Sequence, residues 1–158
     1  MPVKIRAMLA HDRPAIIKIL EETEAFVPAD VQVAIELIDC YLQDSVNSGY
    51  YFWVAEVEGQ AAGYICYGPT PLTEGTWDIY WMATEPRLKG QGIGGALMKL
   101  AEDNIREAGG RMTLIETSSN PHYLEARKFH LAHGYIIVSS IPDFYSPGDN
   151  KITFRKLL

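Results

Sequence analysis

The stretch Lys89-Gly90-Gln91-Gly92-Ile93-Gly94-Gly95-Ala96-Leu97 decides how this chain is read. It follows the apolar run Ile79-Tyr80-Trp81-Met82-Ala83 and opens a helical pattern that continues to about residue 108. Glycines crowded at a helix start leave backbone N–H groups bare and aimed at one spot, and such a spot binds an anion, most often a phosphate.

Working outward, the sequence predicts a strand over 77–83, a helix over about 93–108 stopped by Gly109-Gly110, and a strand over 112–117. A further helix is expected from about Tyr123 to His133, ended by Gly134, with strands over 135–140 and 151–156. Upstream, residues 3–7 read as a strand. Asp12 is placed to cap a helix over about 13–25, and Val31, Ile35, Ile38 and Leu42 carry a second helical stripe. Tyr51–Val57 and Ala61–Tyr67 read as strands joined in a hairpin at Glu58-Gly59-Gln60, and Gly68–Gly75 is a loop. The expected order is β-α-α-β-β-β-α-β-α-β-β: a mixed α/β fold, one domain over residues 1–158.

The bulk composition narrows the function classes. The 158 residues are 47% hydrophobic, enough for a full core, and no apolar run reaches the ~20 residues of a membrane span. Net charge is −6, all of it in residues 1–60, where ten acids face Lys4, Arg6, Arg13 and Lys18. That balance disfavours nucleic acid and suits a cationic partner, although acids on two helices also make an ordinary solvated face. Two cysteines, Cys40 and Cys66, lack pairing or metal-ligand spacing, so a reducing cytoplasm and no metal are expected. A homodimer is compatible with the sequence, with no segment marked for it.

Gly90, Gly92 and Gly95 formally satisfy G-x-G-x-x-G, with Glu116 about 20 residues on, which is the dinucleotide fingerprint. Six residues, Thr84 to Lys89, separate the loop from its strand, and too little chain follows Glu116 to complete such a domain. Gly-Lys-Ser/Thr, needed for a P-loop, is absent. The surroundings point elsewhere. A strand, a proline-containing loop, Lys89-x-x-Gly92-x-Gly94, an amphipathic helix and Asn120 after the next strand together resemble the GNAT superfamily of acetyltransferases. Lys89 stands where that superfamily carries Arg or Gln. Ala126–Tyr135 resembles its second signature, a helix ending in Gly-Phe or Gly-Tyr. The motif-bearing region spans about 77–135.

The resemblance implies a twisted mixed sheet that splits between the 77–83 and 112–117 strands, with acetyl-CoA in the cleft. It implies that the backbone amides of Gln91, Gly92, Ile93, Gly94, Gly95 and Ala96 hold the pyrophosphate beside Gly90, with Lys89 adding a point charge. Met82, Ala83 and Thr84 would pair with the pantetheine arm, and the Met82 amide would polarise the thioester carbonyl. Asn120 and Lys128 join the cofactor set, Lys128 near the 3′-phosphate.

Two proton transfers remain. Asp78 lies four residues before Met82, where some family members carry a catalytic glutamate, and strict alternation would put Asp78, Tyr80 and Met82 on one face. It reads as the base, as a carboxylate receiving the substrate's ammonium, or as a strand-end residue bonded to a loop; Glu116 is a weaker candidate of the same kind. His130 stands where the family usually has a tyrosine acid. A neutral imidazole donates a proton poorly, so His130 would have to act as an imidazolium, and Tyr123 or Tyr145 could replace the missing phenol. The implied reaction is direct transfer of acetyl from acetyl-CoA to a primary amine in a ternary complex, on a small amine or amino acid first, then a peptide N-terminus or protein lysine. The alternatives are a non-catalytic acetyl-CoA sensor and, behind it, a dinucleotide oxidoreductase.

Overall fold

The computed structural model describes residues 2–158. Its elements are β1 (Lys4–Ala7), α1 (Arg13–Glu22), α2 (Pro28–Gln43), β2 (Tyr51–Val57), β3 (Gln60–Pro69), β4 (Thr76–Thr84), α3 (Ile93–Glu107), β5 (Met112–Ser118), α4 (Leu124–Ala132), β6 (Ile136–Ser146) and β7 (Asp149–Leu157). Short 3₁₀ turns at Ala10–Asp12, Pro86–Leu88 and Pro121–Tyr123 lead into helices or loops. The order agrees with the sequence reading. All strands join one sheet, β1-β2-β3-β4-β5-β7-β6, in which β4–β5 is the parallel pair and the other neighbours are antiparallel. A doubly wound dinucleotide domain would need a largely parallel sheet, so that reading fails.

Each face of the sheet holds its own core. On one face Trp77, Ile79 and Ile115 pack with Ile93, Leu97, Met98, Ala101 and Ile105 of α3. These α3 positions recur at three- and four-residue spacing, so one helix stripe meets the sheet. On the other face Ile16, Ile19 and Leu20 of α1 and Val31, Ala34 and Ile38 of α2 cover Phe52, Val54, Tyr64, Cys66 and Ala83.

Three local expectations change. Asp12 does not cap α1 with its side chain. It is buried, where Arg6 donates to both carboxylate oxygens at 2.8 Å and the Leu9 amide donates to one at 2.8 Å. A buried carboxylate needs these partners to remain charged, and they outweigh burial and hold its pKa below the usual range. Tyr123 lies in the 3₁₀ turn and α4 begins at Leu124. The strands expected over 135–140 and 151–156 extend toward each other: β6 runs to Ser146 and β7 begins at Asp149, leaving Pro147-Gly148 as the turn.

The position of the site follows from β4. Its pairing with β3 matches Cys66 to Trp81 but Tyr67 to Ile79, so Tyr80 is an extra, bulged residue. Trp77, Ile79 and Met82 therefore contact the α3-side core, while Trp81 and Ala83 contact the α1/α2 side. Asp78 and Met82 do not share a face, contrary to simple alternation, because the bulge shifts the pleat by one residue. Pairing of β4 with β5 ends at Ile79–Ile115, whereas β5 stays paired to β7 through Ser118. The sheet opens there into a wedge.

Candidate active site

The inner wall of the wedge is backbone. Glu85 N–H donates to Ala62 O at 2.8 Å, and a Cβ built on Gly63 would meet Ala83 O at 3.0 Å, so odd-numbered residues at this end of β4 point their peptide groups toward β3. Alternation then turns the N–H and C=O of Met82 and Thr84 into the gap that β5 has left. Ala83 is a correction to the expected pantetheine contacts: its carbonyl faces β3 and its side chain is buried in the α1/α2-side core.

The glycine loop closes the wedge. Gly92 forms the N-cap of α3 at φ 83°, a left-handed conformation that a residue with a Cβ adopts only with strain. Among the described residues the amides of Gln91, Gly92, Ile93, Gly94 and Gly95 donate to no carbonyl, whereas Ala96 N–H bonds to Gly92 O at 3.0 Å. The free run ends at Gly95, and Ala96 is removed from the expected cradle because the helix already uses its amide. Five free donors converge at the positive end of a 15-residue helix. Gly94 and Gly95 have a different reason to be glycine. Their absent Cβ atoms would stand 3.3 Å from Phe129 and 3.1 Å from His133 Nε2, so α4 packs directly over the first turn of α3. Lys89 is exposed beside the loop, and Gly90, at φ 80°, has open space around it.

Asn120 holds the loop after β5. Its Oδ1 accepts from the His122 amide at 2.9 Å, its own amide donates to Ser118 Oγ at 2.9 Å, and Arg127 donates to its carbonyl at 2.9 Å. The side-chain Nδ2 donates to no partner among the described residues and is open to a ligand. Lys128 is exposed on α4.

His130 is not poised as an acid. It is 7% exposed among the rings of Phe129, Tyr135 and Phe154, and its Nδ1 meets no partner among the described residues. Burial, with a smaller contribution from His133, pushes its pKa down to about 4. A ring so shifted is neutral at pH 7, which counts against the imidazolium that acid catalysis by His130 requires.

The mouth of the wedge is built from four separate segments on the α1/α2 side. Phe26, between α1 and α2, packs edge-on to Trp81 at 5.2 Å and lies 6.2 Å from the Tyr123 ring. Tyr123 O–H donates to Asp30 Oδ2 at 3.2 Å, spanning from the α4 side to the start of α2. Burial first, then Asp30, Tyr145 and Asp149, push the Tyr123 pKa up, so it stays a protonated phenol. The Tyr145 pKa is also raised, by burial, Glu116, Asp149 and Asp30.

Asp78 is registered with Leu114 and stands two residues below Glu116 on the same side of the sheet. Asp78 Oδ2 accepts from Thr70 Oγ1 at 2.6 Å and, at the long distance of 3.5 Å, from Tyr80 O–H. Glu116 is exposed immediately past the last β4–β5 pair, and Lys151 approaches it at 3.6 Å. Phe26 and Asp30 were not among the sequence candidates. The only local signal was Pro28, which opens a helix and so places Asp30 in its first turn.

Comparison with known proteins agrees with this geometry. A profile described as the acetyltransferase (GNAT) family matches residues 15–135. An uncharacterized N-acetyltransferase of Methanocaldococcus jannaschii is 30% identical over 108 residues, covering 66% of this chain and 65% of that one. A crystal structure of a GNAT-family protein from Desulfovibrio desulfuricans superposes with a TM-score of 0.94 at 37% identity, over 99% of each chain. The PaiA N-acetyltransferase of Thermoplasma acidophilum, solved with coenzyme A, shares the fold with a TM-score of 0.78 at 15% identity, over 100% of each chain. With the split sheet, the free-amide cradle and the family profile in agreement, the chain belongs to the GNAT family of acetyltransferases.

Proposed function

We propose that this protein transfers an acetyl group from acetyl-CoA to the primary amine of a small, cationic acceptor, an amine or amino acid, by direct attack in a ternary complex. The observation that carries the reading is the wedge between β4 and β5, with free amides at its inner end and an aromatic, acid-lined mouth on the α1/α2 side. The coenzyme A complex of the PaiA relative supports the donor assignment. Exposed Cys40 and buried Cys66, both free, are consistent with a reducing cytoplasm, and no described helix is long and apolar enough to cross a membrane.

In this reading the amides of Gln91 to Gly95 hold the pyrophosphate, with Lys89 and Gly90 alongside, and Thr84 pairs with the pantetheine arm. Asn120 Nδ2 and Lys128 reach the donor from the α4 side. The Met82 N–H, turned into the wedge, stabilises the oxygen that gains charge as nitrogen attacks the thioester carbon. Asp30, Asp78 and Glu116 attract the ammonium group, and the faces of Trp81 and Phe26 favour a cation. Glu116 takes the ammonium proton: it is exposed past the last β4–β5 pair with Lys151 no closer than 3.6 Å, whereas Asp78 is held by Thr70 at 2.6 Å. As the C–S bond breaks, Tyr123 gives its proton to the leaving thiolate and regains one from the acetylated nitrogen, which sheds its second proton on becoming an amide.

A panel of amines incubated with acetyl-CoA, read by thiol release and product mass, tests the reading. A product 42 Da heavier, on the order of one acetyl group per amine, with intersecting initial-velocity lines is expected. Tight acetyl-CoA binding with no release for any amine would instead identify a sensor.

A further inference from the structure

We propose that the aromatic pocket at the C-terminal end of α3 is a second binding site, which takes a quaternary ammonium cation. The cavity, of about 370 Å³, is lined by Tyr51, Trp53, Tyr67 and Trp77 with Asn104 and Glu107. That volume suits a small ligand. It opens at the start of β4 and the last turn of α3, whereas the wedge lies at the end of β4 and the first turn of α3. The 15-residue helix α3 sets the two about 20 Å apart.

Sheet register gathers the rings. Tyr51 pairs with Tyr67 across β2 and β3, Trp53 follows two residues on, and Trp53, Tyr67 and Trp77 all contact the α3-side core. The Tyr51 and Tyr67 rings stack at 5.4 Å and 12°, and Trp77 leans on them at 5.7 and 6.1 Å. Because α3 ends at Glu107 without covering them, Tyr51 stays 48% exposed. Trp53 Nε1 donates to the Tyr67 hydroxyl at 3.0 Å, and Asn104 Nδ2 donates to the same oxygen at 3.1 Å. The polar atoms of the floor are thus turned on one another, and the walls offer a ligand ring surface.

Aromatic faces carry the negative part of a quadrupole, and the groups around these rings have the same sign. Glu107 is exposed at the rim and in no ion pair among the described residues. The C-terminus of α3 contributes about half a negative charge. Arg106, the base of that last turn, is held by Asp103 at 3.0 Å. An anion is repelled here, and a primary ammonium would find too few acceptors to replace its water. A quaternary ammonium has no N–H to satisfy, and its methyl groups carry the charge against the rings.

Tryptophan fluorescence with choline as the probe, at constant ionic strength and without acetyl-CoA, tests this, because Trp53 and Trp77 line the pocket. A saturable change is expected, and 3,3-dimethyl-1-butanol, which has choline's shape without its charge, should bind at least about tenfold more weakly. Tyr51→Ala should weaken choline binding at least about fivefold, and Glu107→Gln, at an exposed position, about threefold. Trp81→Phe, at the mouth of the wedge, should keep the response. No saturation by about 50 mM choline overturns the proposal. So do equal binding of the uncharged alcohol and undiminished choline binding by either pocket variant. Loss of the response in Trp81→Phe also overturns it, by putting the cation in the wedge. If Tyr51→Ala does not fold, Glu107→Gln and the alcohol decide.

Discussion

The two ends of the wedge are made differently. The end proposed for the donor lies close together in sequence and consists mostly of backbone: the Gln91 to Gly95 amides, free of carbonyl partners among the described residues, and the Met82 and Thr84 peptides of the adjoining strand. The end proposed for the acceptor is made of side chains from the α1–α2 connection, β4, β5 with the turn after it, and the β6–β7 hairpin. A backbone cradle is specified by glycine spacing and a helix start, and the exposed Lys89 side chain beside it takes no part in placing the amides. A side-chain pocket is specified by what four loops happen to bring together, and it can change substrate while the cradle stays fixed.

The contrast can be broken most sharply at Tyr123. Tyr123→Phe keeps the ring against Phe26 and removes the proton, so kcat should fall about 100-fold with the KM for acetyl-CoA nearly unchanged. Steady-state kinetics at saturating amine checks this, and an unchanged kcat would return the acid role to water or Tyr145. A smaller loss is expected at the other end from Gly92→Val. A β-branched residue at φ 83° strains the cap and distorts the amide run, so acetyl-CoA affinity measured by calorimetry should drop about 30-fold. The amine KM of that variant should move little if the two ends are independent.

Glu116→Gln sharpens the acceptor side. It removes one carboxylate from the mouth and should cost about tenfold in kcat/KM for a cationic amine at pH 7, with less loss at high pH where the amine is already deprotonated. A pH–rate profile that does not change shape would move the base to Asp78.

The smallest effect on rate belongs to His130. His130→Phe should leave kcat and its pH profile as they are, because the ring is neutral in the native protein. Stability is where it acts. Its pKa is near 6.5 in the unfolded chain and about 4 when folded, so the unfolded chain holds more protons between those values. The wild type should therefore lose on the order of 3 kcal/mol as pH falls from 6.5 to 4 through this group, a loss that His130→Phe lacks. Urea titrations at the two pH values measure it, and equal acid sensitivity in both proteins would contradict the burial argument.

Much of the fold was legible because its signals are local. The α3 stripe, Gly109-Gly110 and the hairpin at Glu58-Gly59-Gln60 act within a turn or two of chain, and each stands where it was expected. Three site assignments were not legible. The Tyr80 bulge is set by how β4 pairs with β3, so no alternation count could find it. Ala96 looked like its glycine neighbours until the helix frame showed its amide spent on Gly92. His130 occupies a tyrosine position in the motif, and only packing against Tyr135 and Phe154 revealed that it is dry.

The sequence by itself determined the element order, the family resemblance and the anion cradle, because propensity, periodicity and glycine spacing act over neighbouring residues. Only the tertiary structure decided which carboxylates and phenols meet at the mouth, which amides are free and which imidazole is neutral. Those properties depend on register, desolvation and contacts across as many as 93 residues of chain, as between Asp30 and Tyr123, and no local pattern records them.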